Sequence, residues 1–442
     1  MDIIEIASSI LKENALCDNC LGRQFAMLGH GLTNKKRGRT LKLACVLKGS
    51  MLEKEGKDQG TEILFSVAIN GYSKVAISTL ETLGFIIEKK DAYCCICRDA
   101  FNDLEGIARQ AVDRIAEYEY DTFLVGIKVE VDIEDKEDEL RSRFGIRWGE
   151  SIRNEFSREI GKKVMEITSK KVNFKRPDIL IEINPLQKKI NFEVNSIFIK
   201  GRYRKLVRGI PQSEWFCREC KGMGCQRCKG TGKMYPDSIE ELIAAPLLQV
   251  SKGERTKLHA AGREDVDVRM LGLGRPFIVE VKKPRVRTIE LEGLKQTINQ
   301  GSDGKIEVDN LKVSSKEEVR KLKLGEKADK IYRAIVKFAK ELNAEDVNRI
   351  EGLANTPINQ VTPLRVSHRR AIKTRKKYLY GIKLKKFKQN IYEMLIRCEG
   401  GLYIKELISG DNGLTRPSIR EISGISTKCI ELDVIGVELE GF

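Results

Sequence analysis

Residues 217–232 read CxxCxGxG twice in tandem, and this segment narrows what the chain can be more than any other. Each CxxC, Cys217 with Cys220 and Cys225 with Cys228, puts two thiolates on one tight turn. Gly222, Gly224, Gly230 and Gly232 can supply the positive φ that such turns need. Four thiolates at this spacing suit tetrahedral Zn²⁺ with a structural role. The alternative is a reduced, metal-free loop. A rigid, basic, zinc-pinned module is implied, but no chemistry is.

A second candidate site is split along the chain. Cys17 and Cys20 follow the first helical segment, and Cys94 and Cys97 come far downstream. Two CxxC pairs at long separation are the layout of a zinc ribbon closing the ends of an insertion. Cys95 lies inside the second pair, so Cys94 and Cys95 compete for the assignment, and both could instead be core residues at a strand end. One or two structural zinc ions are therefore expected. Residues 1–110 are read as an N-terminal zinc-clipped segment.

The charge balance is 80 Lys+Arg against 64 Asp+Glu, a net +16, which makes nucleic acid the first partner to consider and an anionic membrane surface the second. Aromatics are only 6%, which argues against wide stacking surfaces for single strands. The amphipathic N-terminus has no signal-peptide pattern, and no run approaches the roughly 18 apolar residues needed to span a bilayer. The 12 cysteines are thus expected to be reduced, cytoplasmic and partly metal-bound. Three histidines nearly exclude a site needing several imidazoles.

Residues 111–210 read as a small α+β domain. Residues 122–131 alternate as a strand, 134–138 form an acidic turn, and 151–171 have helical spacing. Strands follow at 178–183 and 190–199. The basic run 200–208 then leads into the knuckle, 211–233, and reads as a phosphate-contacting surface. From 234 to 442 the chain reads as one mixed domain opened by a helix after Ser238. Its strands are expected at 277–281, 305–308, 331–336 and 431–439. Residues 365–388 hold eleven Lys/Arg and no acid, the best candidate for backbone contact with nucleic acid.

Several chemistries can be struck out. There is no Walker-type loop, no dinucleotide-binding glycine turn, no nucleophile elbow and no HExxH. What remains is the stretch from Gly262 to Arg269. On an extended backbone Arg263, Asp265, Asp267 and Arg269 would share one face. A cation beside a carboxylate favours its ionised form, as a nucleophile or base requires. On spacing alone, a surface ion-pair ladder is the simpler reading.

Gly262-Arg-Glu-Asp265 resembles the GRxD loop of pseudouridine synthases. Lys330-Ile-Tyr332 is similar to their K-x-Y motif, and Tyr403-Ile-Lys405 to the motif whose basic residue pairs with the aspartate. Leu432-Asp-Val434 resembles their last apolar strand. The segment 362–370 is similar to one in the archaeal-type, THUMP-containing tRNA pseudouridine synthases that modify uridines 54 and 55 of the TΨC loop. Cys17/Cys20, Arg176-Pro-Asp178, Gly201-Arg-Tyr203 and the double knuckle also match, so the resemblance spans nearly the whole chain.

The resemblance implies an α+β fold: a zinc-binding, THUMP-like RNA-binding part, then a catalytic domain on a mixed, largely antiparallel sheet. It implies an isomerase acting on tRNA without organic or nucleotide cofactor and without a membrane, with monomer as the default state. Asp265 would be catalytic, as nucleophile or base, with Lys405 as ion partner. Lysine there gives a point charge rather than the usual arginine fork. Tyr332, Tyr403, Arg263, Leu432, Arg365, Arg369 and Arg370 would meet the substrate. The alternative is a non-catalytic, zinc-containing tRNA-binding or assembly protein. The knuckle is also similar to the cysteine-rich region of DnaJ-type chaperones, but those carry four repeats and a His-Pro-Asp motif, and this chain has two repeats and no such motif.

Overall fold

The computed structural model describes residues 2–87, 93–325, 328–369 and 371–439, with only the backbone described at 368 and 369. The chain divides into two compact units, Met1–Asn195 and Ser196–Phe442.

The first unit opens with helices α1 (Ile3–Glu13), α2 (Asp18–Arg23), α3 (Asn34–Lys54), α4 (Asp58–Ile69), α5 (Lys74–Thr82) and α6 (Leu104–Arg114). Asp2 starts α1 through a reciprocal cap with Glu5. Cys17 caps α2, accepting from Cys20 N. Helices α2 and α3 nearly touch: a Cβ on Gly22 would sit 1.9 Å from Asn34 O, so only glycine permits this approach.

Strand β1 (Thr122–Ile127), helices α7 (Val131–Arg143) and α8 (Ile152–Thr168), and strands β2 (Lys171–Val172), β3 (Ile179–Asn184) and β4 (Lys189–Val194) complete the unit. The sheet order is β2-β1-β3-β4, parallel except for β3–β4. The expected acidic turn at 134–138 is instead the middle of α7. Ile133, Glu137 and Leu140 form its buried stripe at helical spacing, which the high charge of the segment concealed. Glu137 is buried because Arg23, itself fully buried, reaches it at 2.7 Å and Glu155 at 2.9 Å. Each of these charges is paired, as burial demands.

The second unit holds β5 (Ile197–Lys205), α9 (Ile239–Ser251), β6 (Arg255–Ala260), β7 (Arg269–Lys282), α10 (Leu291–Gly301), β8 (Ile306–Val313), α11 (Lys316–Leu324) and β9 (Lys330–Phe338). It continues with α12 (Ala344–Glu351), β10 (Thr356–Val361), β11 (Thr374–Lys388), β12 (Ile391–Cys398), α13 (Ile404–Ser409), β13 (Thr415–Arg416), α14 (Ile419–Ser423) and β14 (Thr427–Val437). The sheet runs β13-β10-β11-β12-β9-β14-β7-β5-β8, with β6 on β7. Within this sheet only β14–β7 is parallel among the described pairs, so the expected mixed, largely antiparallel sheet is present.

The single strand expected over 190–199 is two strands in different sheets. The chain leaves β4 at Val194 and starts β5 at Ile197, and the apolar alternation continues across the break, which hid it. No helix is long and apolar enough to cross a membrane among the described residues.

Candidate active site and metal centres

The loop from Ala261 to Val268 joins β6 to β7 and is not extended. Gly262 has φ +79°, which turns the chain at once. The extended backbone on which the four alternating charges would share a face is therefore not formed here. Glu264 turns inward and is buried, whereas Asp265 lines a cavity of about 680 Å³.

The loop's carbonyls are engaged one by one. Arg275 Nη1 donates to Ala261 O at 2.7 Å, and Gln212 Nε2 to Gly262 O at 3.0 Å. Lys205 Nζ donates to Asp265 O at 3.2 Å and Val266 O at 2.8 Å. Arg208 Nη1 donates to Asp267 O at 2.8 Å and Leu432 O at 2.7 Å. The Glu264 carboxylate, beside Asp265, accepts from Arg275 Nε at 2.8 Å and from Tyr203 Oη at 3.1 Å. A backbone held at this many points presents Asp265 with little freedom.

This revises the reading of the basic run 200–208. Lys200 pairs with Glu318 at 2.7 Å and Arg204 with Glu307 at 2.8 Å, while Lys205 is fully buried. Burial pushes the Lys205 ammonium down to about 8, against the pull of Glu264 and Asp267. Lys205 and Arg208 are scaffolding for the Asp265 loop, whereas Lys200 and Arg204 pair with acids on α11 and β8. Tyr203, Lys205, Arg208, Gln212, Glu264 and Arg275 were all missed as site-building residues. The one sequence signal was the alternation of β5, which sends Tyr203 and Lys205 to the same face.

Arg365 is the cation nearest Asp265. It lies in a 3₁₀ turn over Leu364–Arg369 just beyond β10. Its Nη1 lies 2.7 Å from Asp265 Oδ2, and its Nε 2.6 Å from Glu406 Oε1. Lys405, expected as the partner of Asp265, is 3.8 Å from Asp265 Oδ2 but 2.6 and 2.8 Å from the two oxygens of Asp267. Lys405 pulls the Asp267 carboxyl down, although burial acts first and in the opposite sense.

Tyr403 sits at the N-cap of α13. Buried Gln360 pins it, Oε1 accepting from Tyr403 N and Nε2 donating to Tyr403 O, each at 2.9 Å. The Arg365 guanidinium carbon lies 5.8 Å from the Tyr403 ring centroid. Tyr332 on β9 lines the same cavity, with its hydroxyl pushed upward by burial. Arg263, Leu432, Val434, Arg375, Lys376 and Lys377 also line it. Asp265, Lys405, Tyr332, Tyr403, Arg263, Leu432 and Arg365 thus surround one cavity. The Arg369 side chain and all of Arg370 lie outside the described residues.

Two sets of four sulfurs come together, Cys17/Cys20/Cys94/Cys97 and Cys217/Cys220/Cys225/Cys228, each within 4.8 Å of one another. The sulfur of Cys94, not that of Cys95, belongs to the first set. Cys217–Cys225 is 3.8 Å, Cys220–Cys228 is 3.7 Å and Cys17–Cys97 is 3.6 Å between sulfurs. A tetrahedron with bonds of about 2.3 Å has edges of about 3.8 Å, so both sets fit a zinc ion. Backbone N–H groups of Gly224 and Gly232 point at Cys220 and Cys228 sulfurs, each at 3.2 Å, and Arg23 reaches Cys20 Sγ at 3.5 Å. Such donors favour thiolates, the metal-binding form.

The family described as "Pus10, C-terminal" matches residues 198–438, and "Pus10 THUMP domain, archaeal" matches 107–184. A pseudouridine synthase with a THUMP domain upstream is the class these two matches define, and such an enzyme is an isomerase. The tRNA pseudouridine synthase Pus10 of Methanocaldococcus jannaschii is 43% identical, covering 99% of this chain and 94% of that one. The tRNA pseudouridine synthase Pus10 of Methanothermobacter marburgensis is 40% identical, covering 99% of both. The chain belongs to the Pus10 family.

Proposed function

We propose that this chain converts uridine to pseudouridine at positions 54 and 55 in the TΨC loop of tRNA, with Asp265 acting on the sugar. The observation that carries the reading is Asp265 at a basic cavity, with Arg365 and Lys405 both approaching its Oδ2 and two tyrosines beside it. That geometry leaves Oδ1 to react at the ribose.

The reaction is an isomerisation. The N1–C1′ bond breaks, the base turns, and a C5–C1′ bond forms. The C5 proton is lost and N1 takes one up, so no redox partner or group donor is needed. Asp265 either attacks C1′ or removes the C2′ proton. The target nucleotide must leave its stack to reach the carboxylate. Tyr332 and Tyr403 are placed to take the base, with Leu432 and Val434 as apolar wall. Arg263, Arg375, Lys376 and Lys377, which line the cavity, offer positive charge to the RNA backbone near the target.

Both cysteine sets are taken as structural zinc sites, which fix the local chain and take no part in the chemistry. The enzyme is taken as a cytoplasmic monomer.

Tritium release from tRNA transcripts labelled at uridine C5 tests the reading, with Asp265→Asn as the comparison. Release by the wild type alone is expected, with pseudouridine mapped to 54 and 55. Release by both would move the chemistry away from Asp265. No release by the wild type, with tRNA still bound, would make the chain a binding protein.

A further inference from the structure

We propose that Phe174, at the tip of the β2–β3 link, is a stacking platform for one unpaired base of the RNA. The inference rests on tRNA as substrate and adds a contact in the region matched to the THUMP domain.

The link runs from Asn173 to Asp178. It must cross the start of β1, which lies between β2 and β3 in the sheet. Both feet are fastened. Asn173 N donates to Phe123 O, and Asp178 N to Thr122 O, each at 3.0 Å. Asp178 Oδ2 accepts from the backbone of Asp121 at 3.0 Å and of Thr122 at 2.9 Å. Asn195 Nδ2 holds Pro177 O at 2.7 Å. Inside the link, Asn173 Oδ1 accepts from Lys175 N and Arg176 N, both at 3.0 Å.

The link's one aromatic side chain stands outside these ties. Phe174 is 83% exposed, the most exposed aromatic among the described residues. Its neighbours Lys171, Lys175 and Arg176 are exposed as well. A single ring among cations is too small an apolar patch for a protein partner. It suits a nucleotide, whose base offers a π-face and whose phosphate offers charge. A base inside a duplex has no open face, so the partner is an unpaired one. The tied backbone also lowers the ordering cost of binding.

Full-length protein and a tRNA transcript, followed by fluorescence anisotropy across a salt series, provide the test. Phe174→Ala should weaken binding about 5- to 100-fold and leave the salt slope unchanged, because no charge is lost. Phe174→Trp should bind within about twofold of wild type, since indole stacks at least as well. Lys175→Ala should reduce the salt slope by about one. Melting temperatures should not move, because the ring packs against nothing it would leave empty.

Wild-type affinity in Phe174→Ala would overturn the inference, and so would Phe174→Trp binding as weakly as Phe174→Ala. If the wild type itself binds no tRNA, the substrate reading falls, and this inference with it.

Discussion

Arg365 bridges two carboxylates, with Nη1 2.7 Å from Asp265 Oδ2 and Nε 2.6 Å from Glu406 Oε1. Glu406 is buried at the start of α13, so the guanidinium is oriented from behind before any substrate arrives. Glu406 and Asp265 raise the Arg365 guanidinium, against the opposite pull of burial. The planar fork matters here, because one ammonium cannot hold two carboxylates in fixed directions.

Glu406→Gln should therefore lower kcat about 10- to 100-fold with little change in KM for tRNA, because it disturbs the aim of Arg365 rather than RNA binding. Arg365→Lys should fall similarly, although its charge is kept. Steady-state kinetics on C5-tritiated tRNA give the readout. Unchanged kcat in both variants would mean that the bridge does not matter to the chemistry.

Lys405 stands between two carboxylates and is closer to Asp267 than to Asp265. Asp267 is two-thirds exposed, with side-chain exposure of 68%. If Asp267 only holds Lys405, Asp267→Asn should retain activity within about tenfold, because an exposed ion pair contributes little. Asp265→Asn should show none. Equal loss in the two variants would put both carboxylates in the reaction, and mass mapping of the product positions would show whether the target uridine had shifted.

Lys205 supports the Asp265 loop from a fully buried position, and its pKa lies at about 8. The folded value lies below the ordinary lysine value of about 10.4, so the folded state binds fewer protons between these pH values. The cost of the buried charge is present in full below pH 8 and is relieved as pH rises towards about 10.4. The unfolding free energy of wild type minus that of Lys205→Met should therefore increase across this window in urea titrations. A flat difference would show that Lys205 keeps an ordinary pKa. A neutral amine still carries N–H donors, so the loop's carbonyl contacts survive deprotonation.

What could be read from the sequence was what is local. The CxxC spacings gave all eight clustered cysteines, because the two members of each pair lie on one turn. Ser238 marked a helix start, and it accepts from Glu241 N as the cap. The GRxD, K-x-Y and Y-I-K motifs named residues that meet around one cavity, but only by resemblance. The partner of Asp265 was not legible. Arg365 lies 100 residues away, and nothing in its own neighbourhood reports where a 3₁₀ turn after β10 will aim it. The run 200–208 was misjudged for a related reason. A basic strand looks solvated until its pairing in mid-sheet is known, and β5 lies between β7 and β8.

The metal sites offer a prediction that separates the two cysteine sets. The split set closes residues 17 to 97 and lies within the core of the first unit, where Cys20, Cys94 and Cys97 are fully or nearly fully buried. The knuckle set is shallower, and Cys225 and Cys228 are partly exposed. Native mass spectrometry should find two zinc ions per chain. A chelator should remove the knuckle ion first, because its ligands can be reached without opening a core. Loss of the split-site ion should coincide with unfolding of the first unit, read by loss of protection in hydrogen exchange, since these ligands can be reached only by opening the core around Cys20, Cys94 and Cys97. Cys94→Ser should bring the count to one ion, and Cys95→Ser should keep two. One ion in the wild type would show that only one set binds metal, and retention of two ions in Cys94→Ser would return the assignment to Cys95.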